Sequence, residues 1–367
     1  MNITNKPTFV DLFCGMGGIS LGFKSQGFQI LWANDNWKTA LDTYHYNFKQ
    51  TQIINNDIQK LSKSFLKNYI NKIDIIAAGP PCQGFSMSGL RDKKDKRNDL
   101  FHSVVDISKL LKPQFIIMEN VVGLLSMTNA ENKPVKEIII EEFKKINYKV
   151  EYKILNSADF GVPQNRKRVI FIISQKGNIG FPTPTHLDNS YQNFLNKKTP
   201  KKITAGEALN NIPNSTHGKI KKPKNKYQKS MFSSSSLVHN HDMPNHSPEI
   251  IQRMSFVPQG GNWKNVPKEY YQVGGIHSNN YRRLHSNKPS ITIKHAAKSM
   301  IIHPTHDRGL TVREVARIQS FHDSFKLLGT KSEQHQQLAN AVPPILAEAL
   351  ARHLKKYIMY KPDKNTS

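Results

Sequence analysis

A single thiol stands in the stretch of this sequence that is best suited to chemistry. Cys82 lies in the motif Gly79–Ser86, directly after two prolines whose rings fix the backbone, and glycines on either side allow sharp turns. The apolar run 73–78 before it predicts a buried strand. A thiol at the C-terminal end of such a strand lies where open α/β sheets bind their ligands. An isolated cysteine is more often a buried packing residue, so the other candidates decide between the two interpretations.

The second candidate is a carboxylate, Glu119, which follows the apolar run 114–118. This run predicts another buried strand. Burial disfavours the charged form of a carboxylate, so we expect the pKa of Glu119 to rise. A carboxyl group with such a pKa could donate a proton near neutral pH.

Apolar spacing predicts a helix over 100–111 and strands over 149–155 and 169–173. Two arginines, Arg166 and Arg168, precede the last of these strands. We predict that they project to opposite faces at the start of this strand. One would then reach the pocket while the other contacts backbone or phosphate. Either arginine taken singly could instead belong to a surface charge run.

Several elements before the thiol could position a cofactor. Residues 8–13 predict a first strand, which leads through a turn with three glycines at 15, 17 and 18 into an amphipathic helix. This arrangement presents backbone N–H groups to a ligand, although the spacing is not that of the dinucleotide motif. Asp35 at the end of the second strand would bind ribose hydroxyls or cap the next helix. Asp57, after a short third strand, would accept a hydrogen bond from an adenine amino group or only shape a turn.

The composition restricts the class of protein. A chain of 367 residues suits one large or two modest domains. Its two cysteines argue against a disulfide scaffold and fit a reducing cytoplasm. We find no signal peptide and no apolar run long enough to span a membrane. The net charge of +26 predicts a polyanionic partner, most commonly nucleic acid. No basic amphipathic helix supports a membrane surface instead.

The regular pattern ends near Gly180. The segment 197–229 holds ten lysines and one acid, which is typical of a solvated insertion or a phosphate-binding surface. Histidines at 239, 241 and 246 suggest a metal, but they lack cysteine partners and a fixed ligand spacing, so we predict no metal site. Residues 281–283 are predicted to display basic and aromatic groups from a tight turn. Regular structure returns with a helix capped by Thr311, with Glu314 completing a capping box. A last helix is predicted to open at Gln337 and to run to about Tyr357.

Six motifs, taken together and in order, resemble those of bacterial DNA cytosine-5 methyltransferases of restriction–modification systems. They are Phe13–Gly18, Gly79–Ser86, Glu119–Val121, Gln164–Arg168, the Arg313–Phe321 helix and Asn340–Pro344. The resemblance covers nearly all of the chain apart from the stretch around 182–290. Asn36 departs from the family, which usually has an apolar residue beside the adenine there, and Ala339 replaces a common glycine.

The resemblance implies an α/β fold, with a Rossmann-like S-adenosylmethionine-dependent methyltransferase sheet and a smaller, irregular target-recognition domain. Residues 1–184 and 326–367 would form the catalytic, cofactor-binding domain and residues 185–325 the target-recognition domain. The implied partners are double-stranded DNA and a cognate restriction endonuclease that acts on the same site. We expect a cytoplasmic monomer that is not bound to a membrane.

The resemblance also implies the role of each site residue. The thiolate of Cys82 adds to C6 of a flipped cytosine while Glu119, at N3 and the amino group, stabilises the adduct. The methyl group passes from S-adenosylmethionine to C5. Of the catalytic pair Arg166 and Arg168, Arg168 is favoured to orient the base at O2. The implied cofactor residues are Phe13, Gly15, Gly17, Gly18, Asp35, Asp57, Ile58, Pro80 and Asn340. The residues expected to contact DNA are Ser86, Arg91, Arg97, Tyr281, Arg282 and Arg283.

Two other functions remain open at this stage. A tRNA-directed member of the same family would keep Cys82 and Glu119, but its recognition region is expected to be shorter than this basic insert. A catalytically silent DNA-binding relative need not keep the thiol, the carboxylate and the cofactor turn together. Methyl transfer to duplex DNA or to tRNA distinguishes these functions.

Overall fold

The computed structural model describes residues 6–81, 100–188, 199–216, 218–232, 238–270 and 280–358. The predicted site residues Cys82, Ser86, Arg91 and Arg97 lie outside these ranges. Seven strands form one sheet, and each corresponds to a strand predicted from the sequence. They are β1 Thr8–Leu12, β2 Gln29–Asp35, β3 Gln52–Asn55, β4 Ile75–Ala78, β5 Phe115–Val121, β6 Lys149–Asn156 and β7 Lys167–Ser174.

The order of strands in the sheet is β3-β2-β1-β4-β5-β7-β6. The first five strands in this order pair in parallel, whereas β7 runs antiparallel to β5 and β6 antiparallel to β7. The carboxyl ends of parallel strands lie at one edge, so this edge brings together the residues that follow β1 to β4. The predicted α/β class is therefore confirmed.

Eleven α-helices lie in the described part of the chain. They are α1 Gly18–Ser25, α2 Lys38–Asn47, α3 Lys63–Lys67, α4 Leu100–Leu111, α5 Val135–Lys145, α6 Ala205–Leu209, α7 Lys226–Met231, α8 Pro248–Ser255, α9 Val312–Ile318, α10 Lys331–Asn340 and α11 Pro344–Lys355. The predicted bounds of α4 are confirmed, and so is the capping box of Thr311 and Glu314 that begins α9.

The helix α10 was missed by the sequence analysis, which placed its last residues in a final helix opening at Gln337. The reason is that α10 is polar, with only His335, Gln337 and Leu338 buried, so no apolar stripe marks it. One signal was present, because Thr330 and Glu333 form a capping box at its start. The proline pair at 343 and 344 then begins α11 as a separate helix.

Helices cover both faces of the sheet. On one face α1 and α11 pack on β1 and β5, and Phe9 stacks on Phe23 with ring centroids 4.3 Å apart. The close approach of α11 requires Gly22, since a Cβ there would lie 2.6 Å from the Cβ of Ala347. On the other face α3, α4 and α5 bury a larger apolar core around Trp32 and Phe171.

A third apolar cluster joins the glycine turn to the later part of the chain. It packs Met16, Tyr44 and Phe48 together with Phe321 and Phe325 and with residues of α6 and α7. The cluster contains residues on both sides of the predicted domain boundary at 325 and 326, and the division into two domains stays a prediction. Burial of these aromatic rings holds the glycine turn against the segment that includes α9.

Candidate functional site

The glycine turn after β1 contains one open position. Gly15 has φ +51°, a conformation that L side chains rarely adopt, and no heavy atom lies within 4 Å of where its Cβ would be. Its backbone N–H donates to Asp35 Oδ2 over 2.8 Å. Gly15 therefore leaves room for a ligand to approach the backbone at the end of β1.

The other two glycines of the turn are required for packing. A Cβ on Gly17 would lie 2.5 Å from the ring of Phe48, and one on Gly18 would lie 2.2 Å from the carbonyl oxygen of Val342. Both distances are far inside van der Waals contact. Because these two glycines lack a side chain, α2 and the residues before α11 can approach the turn closely. Contact of Gly17 and Gly18 with a cofactor stays a prediction.

Asp35 connects the end of β2 to the glycine turn. Its carboxylate accepts hydrogen bonds from the N–H of Gly15 and, over 2.9 Å, from that of Trp37. Burial raises its pKa, and backbone N–H donors, first that of Trp37, oppose the rise. The predicted role of Asp35 as a helix cap is wrong, because α2 begins at Lys38 with Trp37 at the cap position.

A similar connection joins β2 to β3. The side-chain amide of Asn34 donates to the carbonyl oxygens of Ile54 and Asn56 over 2.9 and 2.8 Å. Asp57 accepts from the N–H of Gln59 and begins a 3-10 helix whose first residue, Ile58, is buried in the core. The turn role of Asp57 is confirmed, and its contact with adenine stays a prediction.

The residues that lead into Cys82 are held beside β5. Gly79 N–H donates to the carbonyl of Leu12 over 3.3 Å, and the Asn120 side chain donates to the Pro80 carbonyl over 3.1 Å. A Cβ on Gly79 would lie 4.0 Å from Glu119 Oε2. The described residues that precede Cys82 therefore lie near this carboxylate.

Glu119 forms an ion pair with Arg168. The Nε atom of Arg168 lies 2.9 Å from Glu119 Oε1, and the two side chains are 14% and 12% exposed. Glu119 lies within β5, opposite Ile170 of β7, rather than after the strand as the sequence predicted. Arg168 is the second residue of β7, so the antiparallel pairing of β5 and β7 brings the two charges together.

Arg166 is buried at the same place with a different partner. Its Nη2 donates to the Ala339 carbonyl over 2.9 Å, whereas Nε and Nη1 have no hydrogen-bond partner among the described residues. Its pKa is lowered to about 9, chiefly by burial and also by the charge of Arg168, while the charge of Glu119 opposes the shift. The prediction of opposite faces is wrong. Residues two apart within a strand share a face, and here Arg166 lies outside the strand because it precedes β7.

The C-terminal end of α10 also reaches the site. Asn340 is exposed, and its Oδ1 accepts a hydrogen bond from Gln336. The neighbouring carbonyl of Ala339 binds Arg166, and that of Leu338 accepts from Gln319 over 2.6 Å. Asn340 therefore lies in the chain between Ala339, which binds Arg166, and Val342, whose carbonyl adjoins Gly18.

Asp11 is a buried carboxylate near the turn that the sequence analysis did not single out. Its Oδ2 accepts from the Ser20 hydroxyl over 2.6 Å, and the same hydroxyl lies 2.7 Å from that of Tyr44. Burial raises the pKa of Asp11 to about 7. The available signal was one acid in the otherwise apolar run 9–12, because such a residue needs a specific partner when it is buried.

Arg283 has a structural role rather than the predicted role in reading bases. Its five N–H donors bind the carbonyls of four residues and one carboxylate. The acceptors are Val257, His303, His306 and Met254, together with Asp307. The side chain is 6% exposed. Since guanidinium has five donors, none remains for a base edge, and the prediction for Arg283 is wrong.

The two neighbours of Arg283 differ from it and from each other. Tyr281 is buried in a small apolar cluster with Met254, Val257 and Ile302. Arg282 is only partly buried. Arg282 therefore remains the better placed of the three for contact with DNA, and that contact stays a prediction.

We expect the substitution Arg283→Leu to lower the free energy of unfolding by about 3 kcal/mol, because several buried carbonyls lose their donor at once. Chemical denaturation would measure the change. Arg282→Leu is the matched control and should cost less than about 1 kcal/mol. A stable Arg283→Leu protein with an altered methylation target would show instead that Arg283 reads DNA.

Two of the three histidines considered for metal binding are engaged in hydrogen bonds. His241 contacts the Thr311 hydroxyl through Nδ1 and the Pro213 carbonyl through Nε2, over 2.9 and 2.7 Å. His246 accepts from Gly309 N–H through Nε2. Among the residues that the structure describes, no group of three or more His, Cys, Asp or Glu could hold a metal ion.

One lysine of the lysine-rich segment 197–229 forms ion pairs within the protein. Lys202 is only 13% exposed and pairs with Asp159 and Asp188. Within the described ranges, every helix is too short or too polar to cross a membrane.

Comparison with known proteins gives consistent results. A sequence model of the family described as C-5 cytosine-specific DNA methylase matches residues 7–356. The type II methyltransferase M1.HphI of Haemophilus parahaemolyticus is 38% identical, over 95% of this chain and 87% of its own. The type II methyltransferase M.DdeI of Desulfomicrobium norvegicum is 37% identical, over 95% and 88%.

Solved structures share the fold over the same extent. A protein described as a DNA modification methyltransferase encoded within an Escherichia coli prophage has a TM-score of 0.76 at 25% identity, covering 96% of this chain and 99% of its own. The DNMT2 protein of Spodoptera frugiperda has a TM-score of 0.57 at 19% identity, covering 95% and 100%. The α/β sheet is thus the Rossmann-like sheet of the methyltransferases.

Proposed function

The chain belongs to the C-5 cytosine-specific DNA methylase family, and on that premise we propose how it acts on DNA. It is a DNA cytosine-5-methyltransferase of the type II restriction–modification class. We infer that it uses S-adenosylmethionine to methylate carbon 5 of a cytosine flipped out of a short specific duplex sequence, through a covalent adduct with Cys82. The modification would protect host DNA from a cognate restriction endonuclease.

The observation that carries this proposal is the placement of Glu119. This carboxylate is largely buried, is paired with Arg168, and lies 4.0 Å from where a Cβ on Gly79 would be. Gly79 begins the motif that contains Cys82. A nucleophile and a carboxylate delivered by adjacent parallel strands suit addition to a ring carbon with stabilisation of the charge that develops.

The cofactor has a fitting place at the ends of β1 to β4. Gly15 leaves the turn open, and Asp35 is a carboxylate held at the tip of β2. Carboxylates at this position suit ribose hydroxyls. Phe13, Asp57, Ile58, Pro80 and Asn340 are the further residues that we propose to surround it. When bound, S-adenosylmethionine supplies an electrophilic methyl group.

The thiolate of Cys82 has the central role in the proposed chemistry. Carbon 5 of cytosine is too weak a nucleophile to attack a methyl group unaided. Addition of the thiolate to C6 gives C5 the character of an enamine carbon. After methyl transfer, loss of the C5 proton and departure of the Cys82 sulfur release 5-methylcytosine.

Glu119 and Arg168 would act on the opposite edge of the base. Glu119 would contact N3 and the amino group. In its protonated form it would donate a proton to N3 as negative charge develops there during thiolate addition, and the proton would return when the adduct breaks down. Arg168 holds Glu119 by the ion pair and orients the base at O2. Arg166, bound to the Ala339 carbonyl, would position this pair relative to the segment of Asn340.

The DNA must present an unstacked base, because C5 and C6 cannot be reached by both groups inside a duplex. The charge of +26 supports binding to phosphates along the duplex. Recognition of the target sequence is assigned to residues 185–325, with Ser86, Arg91 and Arg97 near the thiol as further contacts.

Labelled methyl transfer to duplex DNA and to tRNA tests the proposed substrate. Incorporation into duplex DNA, followed by bisulfite sequencing, would identify the methylated cytosine and its flanking sequence. Incorporation into tRNA alone would contradict the proposal. Binding of DNA with no transfer to either substrate, by a protein that binds the cofactor, would favour the silent relative.

We expect two glycine variants to separate ligand approach from packing. Gly15→Ala should cost about 1 kcal/mol of stability through its positive φ, yet weaken cofactor binding by roughly tenfold or more because Cβ enters the open space. Gly18→Ala should cost about 2 kcal/mol or more, since its Cβ would meet a backbone carbonyl at 2.2 Å. Calorimetric binding and denaturation of each variant provide the comparison. Unchanged cofactor affinity in Gly15→Ala would remove Gly15 from the proposed site.

A further inference from the structure

A cavity lies between the segment 240–246, residues 295–300 and the start of α10. Its volume is about 440 Å³, within the range of small-molecule sites. Most of its described lining residues belong to the segment 185–325, but none of them is among the individual residues proposed to bind the cofactor or to contact DNA. The cavity therefore requires an explanation of its own.

Cationic groups are concentrated at this cavity. Lys298 and Lys331 line it and are exposed, while Asp242 is the one carboxylate among its described lining residues. Burial lowers the pKa of His295, and the charge of Lys298 lowers it further. Burial likewise lowers the pKa of His335 to about 4, with His295 and Lys331 adding to the shift. The positive groups repel one another, so an anion among them would be stabilising.

Two imidazoles are fixed as neutral donors beside these lysines. His246 Nε2 accepts from the Gly309 N–H over 3.1 Å, so its neutral ring carries the proton on Nδ1. His295 Nδ1 accepts from the Lys298 N–H over 3.2 Å, so its proton is on Nε2, which lies 3.4 Å from the Ser332 hydroxyl. His246 therefore offers its Nδ1–H group to an oxyanion, whereas the N–H of His295 is directed at the Ser332 hydroxyl, whose own proton is then available to a ligand.

His335 provides an independent indication of a ligand. It lines the cavity and is 6% exposed, and its Nδ1 is buried with no hydrogen-bond partner among the described residues. Unpaired buried polar atoms are costly and uncommon in native proteins. His335 lies in the first half of α10, and the N-terminal end of a ten-residue helix favours negative charge.

The remaining wall of the cavity is apolar. Pro244, Leu310 and Val312 contribute to it, together with two alanines at 296 and 297. Bare inorganic phosphate would leave this surface without a partner, whereas a flat ring would cover it. The lining thus combines a surface for a ring with donors for an anion.

We propose that this cavity binds a phosphate ester whose organic part includes a flat ring, which is the chemistry of a nucleotide. Lys298 and Lys331 hold the phosphate, His246 and the Ser332 hydroxyl donate to it, and the apolar wall packs on the ring. The nucleotide is either free in solution or part of a bound DNA strand.

Phenyl phosphate is the probe for this chemistry, because it has the ring and the phosphate but no cytosine or adenosine edge. Calorimetric titration of the full chain, with the cofactor site saturated by S-adenosylhomocysteine, should give a Kd below about 1 mM. Phenol and inorganic phosphate, each carrying half of the chemistry, should bind roughly tenfold or more weakly.

Two sets of variants place the binding in the cavity. The double change Lys298→Gln with Lys331→Gln should raise the Kd for phenyl phosphate by about tenfold or more. Lys264→Gln with Lys288→Gln, exposed lysines outside the cavity, is the control and should change little. Ala297→Trp keeps both lysines and fills the space, so it should abolish binding. No binding, or equal binding by all variants that fold, would overturn the proposal.

Duplex DNA as a competitor identifies the source of the phosphate. Displacement of phenyl phosphate by DNA, with weaker DNA binding in the Lys298 and Lys331 double variant, would assign the cavity to a nucleotide of the DNA. Undiminished phenyl phosphate binding on saturating DNA would assign it to a free nucleotide. Methylation measured on the same variants keeps this question separate from the proposed function.

Discussion

Replacement of Cys82 by alanine is expected to abolish methylation of duplex DNA while leaving affinity for DNA and cofactor near normal. The proposed thiolate acts only in the covalent step, so its removal leaves C5 without activation. Transfer of a labelled methyl group would show the loss. Target DNA with 5-fluorocytosine should leave the unchanged enzyme covalently attached, because fluorine cannot depart as the C5 proton does.

The second cysteine supplies a matched control. Cys14 is 7% exposed, and burial raises the pKa of its thiol well above the ordinary value. The thiolate is the reactive form of cysteine, so Cys14 should be inert, and Cys14→Ala should keep full methylation and DNA trapping. Methylation by a Cys82→Ala enzyme would falsify the covalent mechanism.

Replacement of Glu119 by glutamine should reduce turnover by roughly 10²–10⁴-fold, the usual contribution of acid–base assistance. Glutamine has nearly the same shape but no charge, so it also leaves Arg168 without its ionic partner 2.9 Å away. Single-turnover methylation at saturating DNA and cofactor would measure the effect on chemistry alone.

Two further variants separate catalysis from folding in this test. Glu137→Gln changes an exposed carboxylate on α5 and should retain full turnover. Arg168→Lys keeps a positive charge but loses the planar fork of donors, so it should reduce turnover while retaining part of the stability of the ion pair. A folded Glu119→Gln enzyme with unchanged turnover would reduce Glu119 to a residue of β5.

The sequence was sufficient for the elements whose identity depends on local pattern. Continuous apolar runs predicted the strands of the sheet, because strands buried on both faces lack polar alternation. The bounds of α4 and the capping box of α9 followed from apolar spacing and from Thr311 with Glu314. In contrast, α10 has few apolar residues, so its pattern did not distinguish it from a loop.

The place of the candidate site could also be derived from the sequence. Motifs at the ends of successive parallel strands must meet at one edge of the sheet, whatever the details of packing. The resemblance of six ordered motifs then pointed to the family that the comparisons show. These inferences depend on residues within one element or one turn. The geometry of such a short segment is determined by neighbours along the chain.

The partners of long side chains were decided only by the tertiary structure. Arg168 pairs with Glu119, and Arg166 binds the Ala339 carbonyl. All five N–H donors of Arg283 bind acceptors within the protein. The sequence alone does not distinguish these arginines from members of a surface charge run. A guanidinium group lies several ångströms from its backbone and binds whichever acceptor the fold brings near. Gly15 and Gly18 show the same division: their type predicted a tight turn, but only packing distinguishes the open position from the one pressed against Val342.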